Sequence, residues 1–204
     1  MARKSRSAGA ATTLRIIGGD WRGRRVAVAD APGLRPTGDR IRETLFNWLA
    51  PRIEGARCID LFAGTGALGL EALSRGAAHV IFVDSHRDAA NGIRASLTTL
   101  DAAKRATVIQ ADSLASAWHH HASGAPDLVF IDPPFAQQLH AAALTRIAPL
   151  LGAHSRVYLE YPAVDEGAIE RALGNGFELL RRKRAGSVGY CLARQRRDSE
   201  DSAP

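Results

Sequence analysis

The sequence predicts an α/β fold in which a doubly wound, mostly parallel sheet ends in an antiparallel hairpin. From residue 57 onward, strand-like and helix-like segments alternate, which is typical of parallel sheets with helices on both faces. The last two strand-like segments, 177–182 and 188–193, are joined by Ala185-Gly186-Ser187, which is too short for a crossover connection. Ahead of this unit, turn residues between short apolar runs predict a small N-terminal β-hairpin and helix.

The predicted elements follow one another in a simple order. The N-terminal hairpin comprises strands 14–17 and 25–28, and a helix capped by Thr37 or Asp39 runs to Leu49 before Pro51 ends it. Core strands are expected at 57–62, 79–83, 107–110, 128–131 and 156–160. Helices are expected at 68–75, 87–100, 114–120, 137–151 and 166–173. The predicted organisation is a disordered basic arm (1–13), an N-terminal hairpin and helix (14–52), the α/β domain (53–195) and a disordered tail (196–204).

Composition argues against several protein classes. With 204 residues, of which 46% are hydrophobic and 24% charged, the chain is expected to form a globular protein of about one domain. No apolar run approaches the ~20 residues of a membrane span, so we expect no membrane partner. Cys58 and Cys191 are far apart, which argues against a disulfide scaffold and favours the reducing cytoplasm. The basic N-terminus lacks the apolar segment of a secretion signal.

The net charge of +6 is unevenly distributed along the chain. Residues 1–57 carry 12 basic and 5 acidic side chains, residues 58–180 carry 8 and 13, and residues 181–204 carry 7 and 3. Basic regions attract polyanions through their long-range potential and through counterion release. Two basic ends around an acidic middle therefore favour a nucleic-acid partner. The alternative is that these arginines form solvated faces, and the run 181–184 is either a phosphate contact or a protected sheet edge.

A glycine-rich turn follows the first predicted core strand. Gly64-x-Gly66-x-x-Gly69 lets the backbone turn sharply and bring a ligand to a helix N-terminus. Asp84 follows 20 residues after Gly64, where a carboxylate can accept hydrogen bonds from ribose hydroxyls. The pattern predicts a nucleoside-bearing cofactor and by itself leaves an NAD enzyme open. Asp112, with Ser113 beside it, either contacts an adenine or caps the helix expected after it.

The motif Asp132-Pro133-Pro134-Phe135, called the DPPF loop below, follows the apolar strand 128–131 at the same sheet edge. An exocyclic amine of a nucleobase is a weak nucleophile because its lone pair is conjugated with the ring. A carboxylate and the Pro133 carbonyl can accept its two N–H bonds, and an adjacent aromatic ring can stack on the base. The base must be unpaired or flipped to reach them. The DPPF loop therefore predicts methyl transfer to a base amine, whereas a helix-capping role for Asp132 is the structural alternative.

Together these residues resemble the RsmD-type family of 16S rRNA guanine-N2 methyltransferases, which modify guanine 966. The resemblance extends from residue 14 to about 195 and includes the glycine turn and the DPPF loop. Its other motifs are Arg15-Ile16-Ile17-Gly18-Gly19, Leu34-Arg35-Pro36-Thr37 and Asp39-Arg40-x-Arg42-Glu43-Thr44-Leu45-Phe46-Asn47. A class I methyltransferase fold, S-adenosylmethionine as donor, a monomer, and 16S rRNA within the small ribosomal subunit as substrate are what the resemblance implies.

The resemblance also implies roles for individual residues. The base would be held by Asp132, Pro133, Pro134 and Phe135. The cofactor would be contacted by Asp60, Phe62, Gly64, Gly66, Asp84, Asp112, Ser113, Thr37, Arg42 and Phe46. RNA contacts are expected from Arg15, Trp21, Arg22, Arg24, Arg25, Arg35 and Arg40, although Trp21 has the alternative of packing the hairpin against the core. No metal is expected, because the run 119–121 of three histidines lacks accompanying ligand spacing.

Three other functions remain to be compared with rRNA guanine-N2 methylation. An adenine-N6 methyltransferase would use the same DPPF chemistry, although a DNA-reading enzyme would normally need a separate recognition domain. An NAD-dependent oxidoreductase has no use for the DPPF loop. A non-catalytic ribosome-assembly protein would retain the fold and the basic ends without the chemistry.

Overall fold

The computed structural model describes residues 13–28 and 38–196. Residues 1–12 of the basic arm, residues 197–204 of the tail, Arg35 and Thr37 lie outside the described residues. Thr13, the last residue of the expected arm, is the first residue of a strand. The described part forms two sheets, a small antiparallel pair and a seven-stranded sheet. The small pair consists of β1 (Thr13–Arg15) and β2 (Arg25–Ala27), joined antiparallel as predicted.

The central sheet confirms the predicted architecture. Its strands are β3 (Arg57–Asp60), β4 (His79–Asp84), β5 (Ala106–Gln110), β6 (Leu128–Ile131), β7 (Arg156–Pro162), β8 (Phe177–Ala185) and β9 (Val188–Gln195). They lie in the order β5-β4-β3-β6-β7-β9-β8. Strands β3 to β7 are parallel, and the final hairpin adds β9 antiparallel to β7. The order reverses between β3 and β6, so the carboxyl ends of these two strands flank the crevice where open α/β sheets bind ligands.

Five α-helices connect and cover the strands: α1 (Asp39–Leu49), α2 (Ala67–Ser74), α3 (Arg87–Thr99), α4 (His140–Ile147) and α5 (Glu166–Leu173). The expected helix 137–151 is shorter at both ends. Gln138 adopts a left-handed φ of 48° before α4, and Pro149 after it has no N–H for a helical hydrogen bond. Within residues 13–28 and 38–196, no helix combines the length and apolar character needed to cross a bilayer.

The predicted helix at 114–120 is wrong. The segment consists of turns that end in a single 3-10 turn at His119–His121. The buried indole of Trp118 donates to the carbonyl of Ser113 at 3.1 Å, and the Asp112 carboxylate accepts the N–H of Leu114 at 2.9 Å. These side-chain bonds take up backbone groups that a helix would use along its own axis, so the segment folds as turns around the tryptophan.

The core has one layer on each face of the sheet. Alternate residues of β6 point to opposite layers, since Phe130 lies in one cluster while Val129 and Ile131 lie in the other. The first layer contains the N-terminal hairpin, α1, α2 and α3, and the second contains α4 and α5. Both faces of the central strands are therefore buried, which is why these strands read as near-continuous apolar runs.

A buried carboxylate attaches the N-terminal hairpin to α2, which packs on the central sheet. Glu71 of α2 is fully buried and accepts hydrogen bonds from the backbone N–H groups of Ile17 and Gly18 at 2.9 and 2.8 Å. Its charge is paired with the guanidinium groups of Arg42 at 3.5 Å and Arg75 at 2.8 Å. We call this arrangement the Glu71 hub. It fixes the hairpin and α1 against α2, and so sets the position of the chain that precedes β3.

Candidate active site

The glycine turn delivers the chain from β3 into α2 through two residues in the left-handed region. Gly64 has φ 52° and Gly66 has φ 76°, conformations that favour glycine. A Cβ on Gly66 would lie 3.1 Å from Ile93 of α3, so a side chain there would also be crowded. The N–H of Gly64 donates to the Asp84 carboxylate at 2.8 Å. The turn is therefore held against the end of β4, and the N-terminus of α2 opens towards the sheet edge.

Asp60, the last residue of β3, lies beneath this turn. Its carboxylate is buried and accepts the N–H of Gly69 at 2.9 Å, which ties the first turn of α2 to the strand. Burial raises the pKa of Asp60 to about 8; the Gly69 hydrogen bond opposes this rise, and the nearby charges of Asp132 and Asp84 add to it. A cation placed next to Asp60 would restore its ionised form.

The acidic residues after β4 and β5 hold their own loops. The Asp84 carboxylate accepts from Gly64 and also from the N–H of His86 at 2.8 Å. Asp112 accepts from Leu114, which is the capping alternative, although it caps a turn in place of the expected helix. The buried hydroxyl of Ser113 donates to the carbonyl of Leu61. Asp84 ends β4, and Asp112 and Ser113 follow β5, so all three lie at the carboxyl edge of the sheet, where a nucleoside would extend from the glycine turn.

One cavity joins the two sequence motifs. It encloses about 540 Å³, a size that suits a cofactor and a base edge. The glycine turn contributes one wall, and the DPPF loop faces it across the gap between β3 and β6. Its lining residues are Gly38, Ile41, Asp60, Phe62, Ala63, Gly64, Thr65, Ala67, Leu68, Asp132, Pro133, Pro134, Phe135, Glu160, Ser187 and Val188.

Several of these lining residues were missed at the level of sequence. Glu160 is a buried acid in the second half of β7, where every residue from 156 to 161 is buried. A carboxylate that follows the apolar run 157–159 of a core strand is the signal that identifies it. Ser187 and Val188 come from the turn between β8 and β9, and Gly38 and Ile41 come from the start of α1. These four residues carry no chemical signature and reach the cavity only through tertiary packing.

Comparison with known proteins identifies the family to which this arrangement belongs. The family model described as "Conserved hypothetical protein 95" matches residues 14–194. Ribosomal RNA small subunit methyltransferase D of Escherichia coli K12 is 41% identical over 193 residues, which cover 93% of this chain and 94% of the relative. The Haemophilus influenzae protein of the same name is 39% identical over 93% of this chain and 98% of its own. This chain belongs to the RsmD family of methyltransferases.

Solved structures support the same assignment. The Escherichia coli structure described as a putative methyltransferase, yhhF, superposes with a TM-score of 0.76 at 36% identity, covering 92% of this chain and all of that one. The Haemophilus influenzae putative methylase HI0767 superposes with a TM-score of 0.70 at 34% identity, covering 89% of this chain and 98% of its own. The predicted class I methyltransferase fold is thereby confirmed, and the NAD-dependent oxidoreductase is set aside.

Two residues expected near the RsmD cofactor lie behind the cavity wall. Arg42 is 1% exposed and belongs to the Glu71 hub, where it also pairs with Asp39 at 2.6 Å. Phe46 is fully buried, with its ring 6.0 Å from that of Phe130. On a helix with 3.6 residues per turn, these two side chains point into the core, while Ile41 faces the cavity. In the part of the chain that the structure describes, the start of α1 contributes Gly38 and Ile41 to the cavity lining, and the expected cofactor contacts of Arg42 and Phe46 stay predictions.

The arginines expected to contact RNA lie on the surface of the N-terminal hairpin and α1. The exposed members of the set are Arg15, Arg22, Arg24, Arg25 and Arg40. Trp21 differs from them because it is half-buried, packs against the first core layer and has the Arg105 guanidinium 5.8 Å from its ring. The packing alternative for Trp21 is thus the one that the contacts favour.

The three consecutive histidines form no metal centre. Among the residues that the structure describes, no group of three or more His, Cys, Asp or Glu side chains is arranged to hold a metal ion. His119 packs edge-on against the buried Trp118, with the ring centroids 4.5 Å apart. The histidine run therefore closes the turn around the tryptophan.

Proposed function

We propose that this protein transfers a methyl group from S-adenosylmethionine to the exocyclic N2 of guanine 966 in 16S rRNA of the small ribosomal subunit. The observation that carries this proposal is the single cavity in which the glycine turn and the DPPF loop meet. Its family membership supports the rRNA substrate, because the relatives in Escherichia coli and Haemophilus influenzae are named as small subunit rRNA methyltransferases.

The lining residues fit an S-adenosylmethionine-type donor. The glycine turn provides a cradle without side chains at Gly64 and Gly66, and Asp60 supplies a carboxylate in the cavity wall for the cationic part of the molecule. Asp84 and Asp112 lie outside the cavity lining, at the ends of β4 and β5, where their carboxylates would meet the hydroxyl-bearing part. When bound, such a donor supplies an electrophilic methyl group on a sulfonium centre. No Lys or Arg occurs among the described residues that line the cavity, which leaves its acidic groups to complement a positive ligand.

The DPPF loop is positioned to present a base amine to that donor. Asp132 and the carbonyl of Pro133 accept the two N–H bonds of guanine N2, which draws the nitrogen lone pair out of conjugation and aims it along the line of transfer. Phe135 stacks on the base. The amine would gain an N–CH3 bond as the S–CH3 bond of the donor breaks and a neutral thioether is left. One of its two protons would leave through its hydrogen bond to the Asp132 carboxylate. Holding both reactants in line is the principal contribution to rate expected from such a site.

The substrate reaches this cavity along a basic approach. The hairpin arginines Arg22, Arg24 and Arg25 lie on the same layer as α1, whose first turn forms part of the cavity wall. Contacts from these residues to phosphates would hold the RNA while the target guanine is flipped into the cavity. We further propose that the protein acts as a monomer in the cytoplasm on an assembled or assembling small subunit.

Methyl transfer from labelled S-adenosylmethionine tests the proposal directly. Small subunits that lack the modification, naked 16S rRNA and DNA are incubated with the protein, and the product nucleosides are identified. N2-methylguanosine at position 966 that is lost in Asp132→Ala is the expected result. Methylated adenine would support the adenine-N6 alternative, and tight subunit binding without any label would support a non-catalytic assembly protein.

A further inference from the structure

Glu160 forms part of the cavity wall next to the DPPF loop. Strands β6 and β7 are parallel neighbours, and their last paired residues are Ile131 and Leu159. Asp132 and Glu160 each come one residue later, so they lie at the same level of two neighbouring chain segments about 4.8 Å apart. Asp132 is the first residue after β6, whereas Glu160 is still within β7 and paired with Tyr190 of β9. Both side chains point to the same face as Phe130 and Tyr158, because alternate residues of a strand share a face. The two carboxyl groups therefore flank one point of the cavity.

A hydrogen bond from Tyr158 holds the Glu160 carboxylate in a defined orientation. The hydroxyl of Tyr158, itself 1% exposed, donates to Oε1 of Glu160 at 2.9 Å. Burial raises the pKa of Tyr158 well above its usual value, and the charge of Glu160 adds to that rise, so the phenol remains a donor. Glu160 is 3% exposed, so a hydrogen bond that its carboxylate accepts from a ligand N–H is shielded from water.

Guanine and adenine differ at the position beside the reacting amine. In guanine, the N2 amine is adjacent to N1–H, which is a donor. In adenine, the N6 amine is adjacent to an N1 lone pair, which is an acceptor. A base whose amine is held by Asp132 places its N1 next to that amine, on one side of the loop. A second carboxylate at that position pairs with guanine and opposes adenine, because two acceptors then face each other in a dry site.

We propose that Glu160 is the specificity-determining residue of this site, accepting the N1–H of the target guanine while Asp132 holds its N2 amine. Tyr158 is the positioning residue that orients the Glu160 carboxylate. This inference rests on the proposed guanine-N2 methylation and deepens it, since the DPPF loop alone serves amines of either purine. A site built to hydrogen-bond a donor rejects an analogue that lacks it by factors of about 100 or more.

A purine analogue at the target position tests this role without altering the protein. 2-Aminopurine keeps the N2 amine of guanine but carries an N1 lone pair in place of N1–H. Small subunits are reconstituted with 16S rRNA that has either guanine or 2-aminopurine at position 966, and kcat/KM for methyl transfer is measured on each. The wild-type protein is expected to prefer guanine by about 100-fold. Equal rates on both bases would overturn the proposal.

The variant Glu160→Gln replaces a carboxylate oxygen, which accepts a hydrogen bond, with an amide NH2 group, which can donate one. Its amide can donate an N–H to N1 of 2-aminopurine, so the preference for guanine should fall at least tenfold, with activity on 2-aminopurine rising in absolute terms. A purely structural role would lower both rates together and leave their ratio unchanged. Tyr158→Phe is the second variant, expected to lower kcat on guanine several-fold while keeping guanine preferred. Melting temperatures of all three proteins monitor folding.

The outcomes separate this inference from the proposed function. N2-methylguanosine formation with an unchanged ratio in Glu160→Gln would overturn the role of Glu160 and leave the function standing. Absence of N2-methylguanosine from the wild-type reaction would overturn both, because Glu160 is then not reading a guanine.

Discussion

Buried carboxylates occur at two places in this molecule, and their surroundings are opposite in character. At the Glu71 hub, one carboxylate is surrounded by two guanidinium groups and two backbone N–H groups. In the cavity, the buried Asp60 and Glu160 lie with the half-buried Asp132 in one wall, and the charges of Asp132 and Asp84 oppose ionisation of Asp60. At the hub, arginines of the protein itself balance the charge of the carboxylate. The cavity wall brings several acidic side chains together, and no Lys or Arg occurs among the described residues that line it.

This difference separates a structural use of buried charge from a functional one. A buried ion pair that is fully hydrogen-bonded costs a great deal to break and contributes to a unique arrangement of the chain. A cluster of buried acids destabilises the free protein, and that cost is offset when a cationic donor and the N–H groups of a base enter. Perturbed carboxylates in a cleft are therefore a marker of a functional site.

The largest expected effect comes from removing the carboxylate of the hub. Glu71→Ala removes one carboxylate partner from the buried guanidinium of Arg42, which keeps Asp39, and leaves two backbone N–H groups without an acceptor. We expect a loss of about 3–5 kcal/mol in the free energy of unfolding, measured by denaturant titration. Glu71→Gln, which keeps an acceptor for the N–H groups, should lose less. A loss below about 1 kcal/mol for Glu71→Ala would show that the hub does not hold the hairpin.

Removing a carboxylate from the cavity should have the reverse pattern of effects. Asp132→Ala is expected to lower kcat by about 10²–10³-fold, because one of two preorganised acceptors for the base amine is gone. Its melting temperature should remain close to that of the wild type, since Asp132 makes no contribution to the hub. The measurement is single-turnover methyl transfer alongside thermal unfolding. A variant that melts early but retains activity per folded molecule would reverse the distinction between the two regions.

The ionisation of Asp60 should make the free energy of unfolding depend on pH, which provides a further test of the difference between the cavity and the hub. Because its pKa is raised to about 8 in the folded protein, the folded state holds a proton that the unfolded chain has already released above about pH 4. The stability contribution of that proton is present at low pH and is lost as the pH rises through about 8.

Asp60→Asn removes this titration, so the stability of the variant relative to the wild type should increase between pH 5 and pH 9. An increase of at least about 1 kcal/mol corresponds to a shift of one pKa unit. If thermal unfolding shows the same dependence of stability on pH for the variant and the wild type, the predicted titration of Asp60 is contradicted. Addition of S-adenosylmethionine should reduce the difference, because a cation beside Asp60 favours its ionised form.

The smallest expected effect concerns the exposed arginines of the hairpin. Reversing the charge of Arg24 and Arg25 to Glu is expected to weaken small-subunit binding several-fold at low salt, with a shallower salt dependence and unchanged donor affinity. Reversal of Arg146, on α4 in the opposite layer, is the matched control and should have less effect. Equal binding of the double variant and wild type over a salt titration would remove the hairpin from the RNA interface.

Local patterning explains why much of the fold was predictable. The β-strands of the core were found because buried parallel strands are continuous apolar runs, and the glycine turn and the DPPF loop were found because each directly follows such a run. The helix at 114–120 was mispredicted because its apolar spacing also suits a turn wrapped around one buried tryptophan. The apolar periodicity is the same whether Trp118 lies on a helix or at the centre of a turn. The two differ in the hydrogen bond from its indole N–H to the Ser113 carbonyl, which the sequence pattern does not show.

The sequence by itself determined the fold class, the two motifs at the sheet edge and the RsmD family, because these depend on residues that are close together in the chain. Only the tertiary structure decided which distant side chains share the cavity. It placed Arg42 and Phe46 in the core by their phase on α1, and it brought Glu160 from β7 to the side of Asp132. The physical reason is that side-chain direction depends on helix phase and strand register, and both are set by packing between segments more than 20 residues apart.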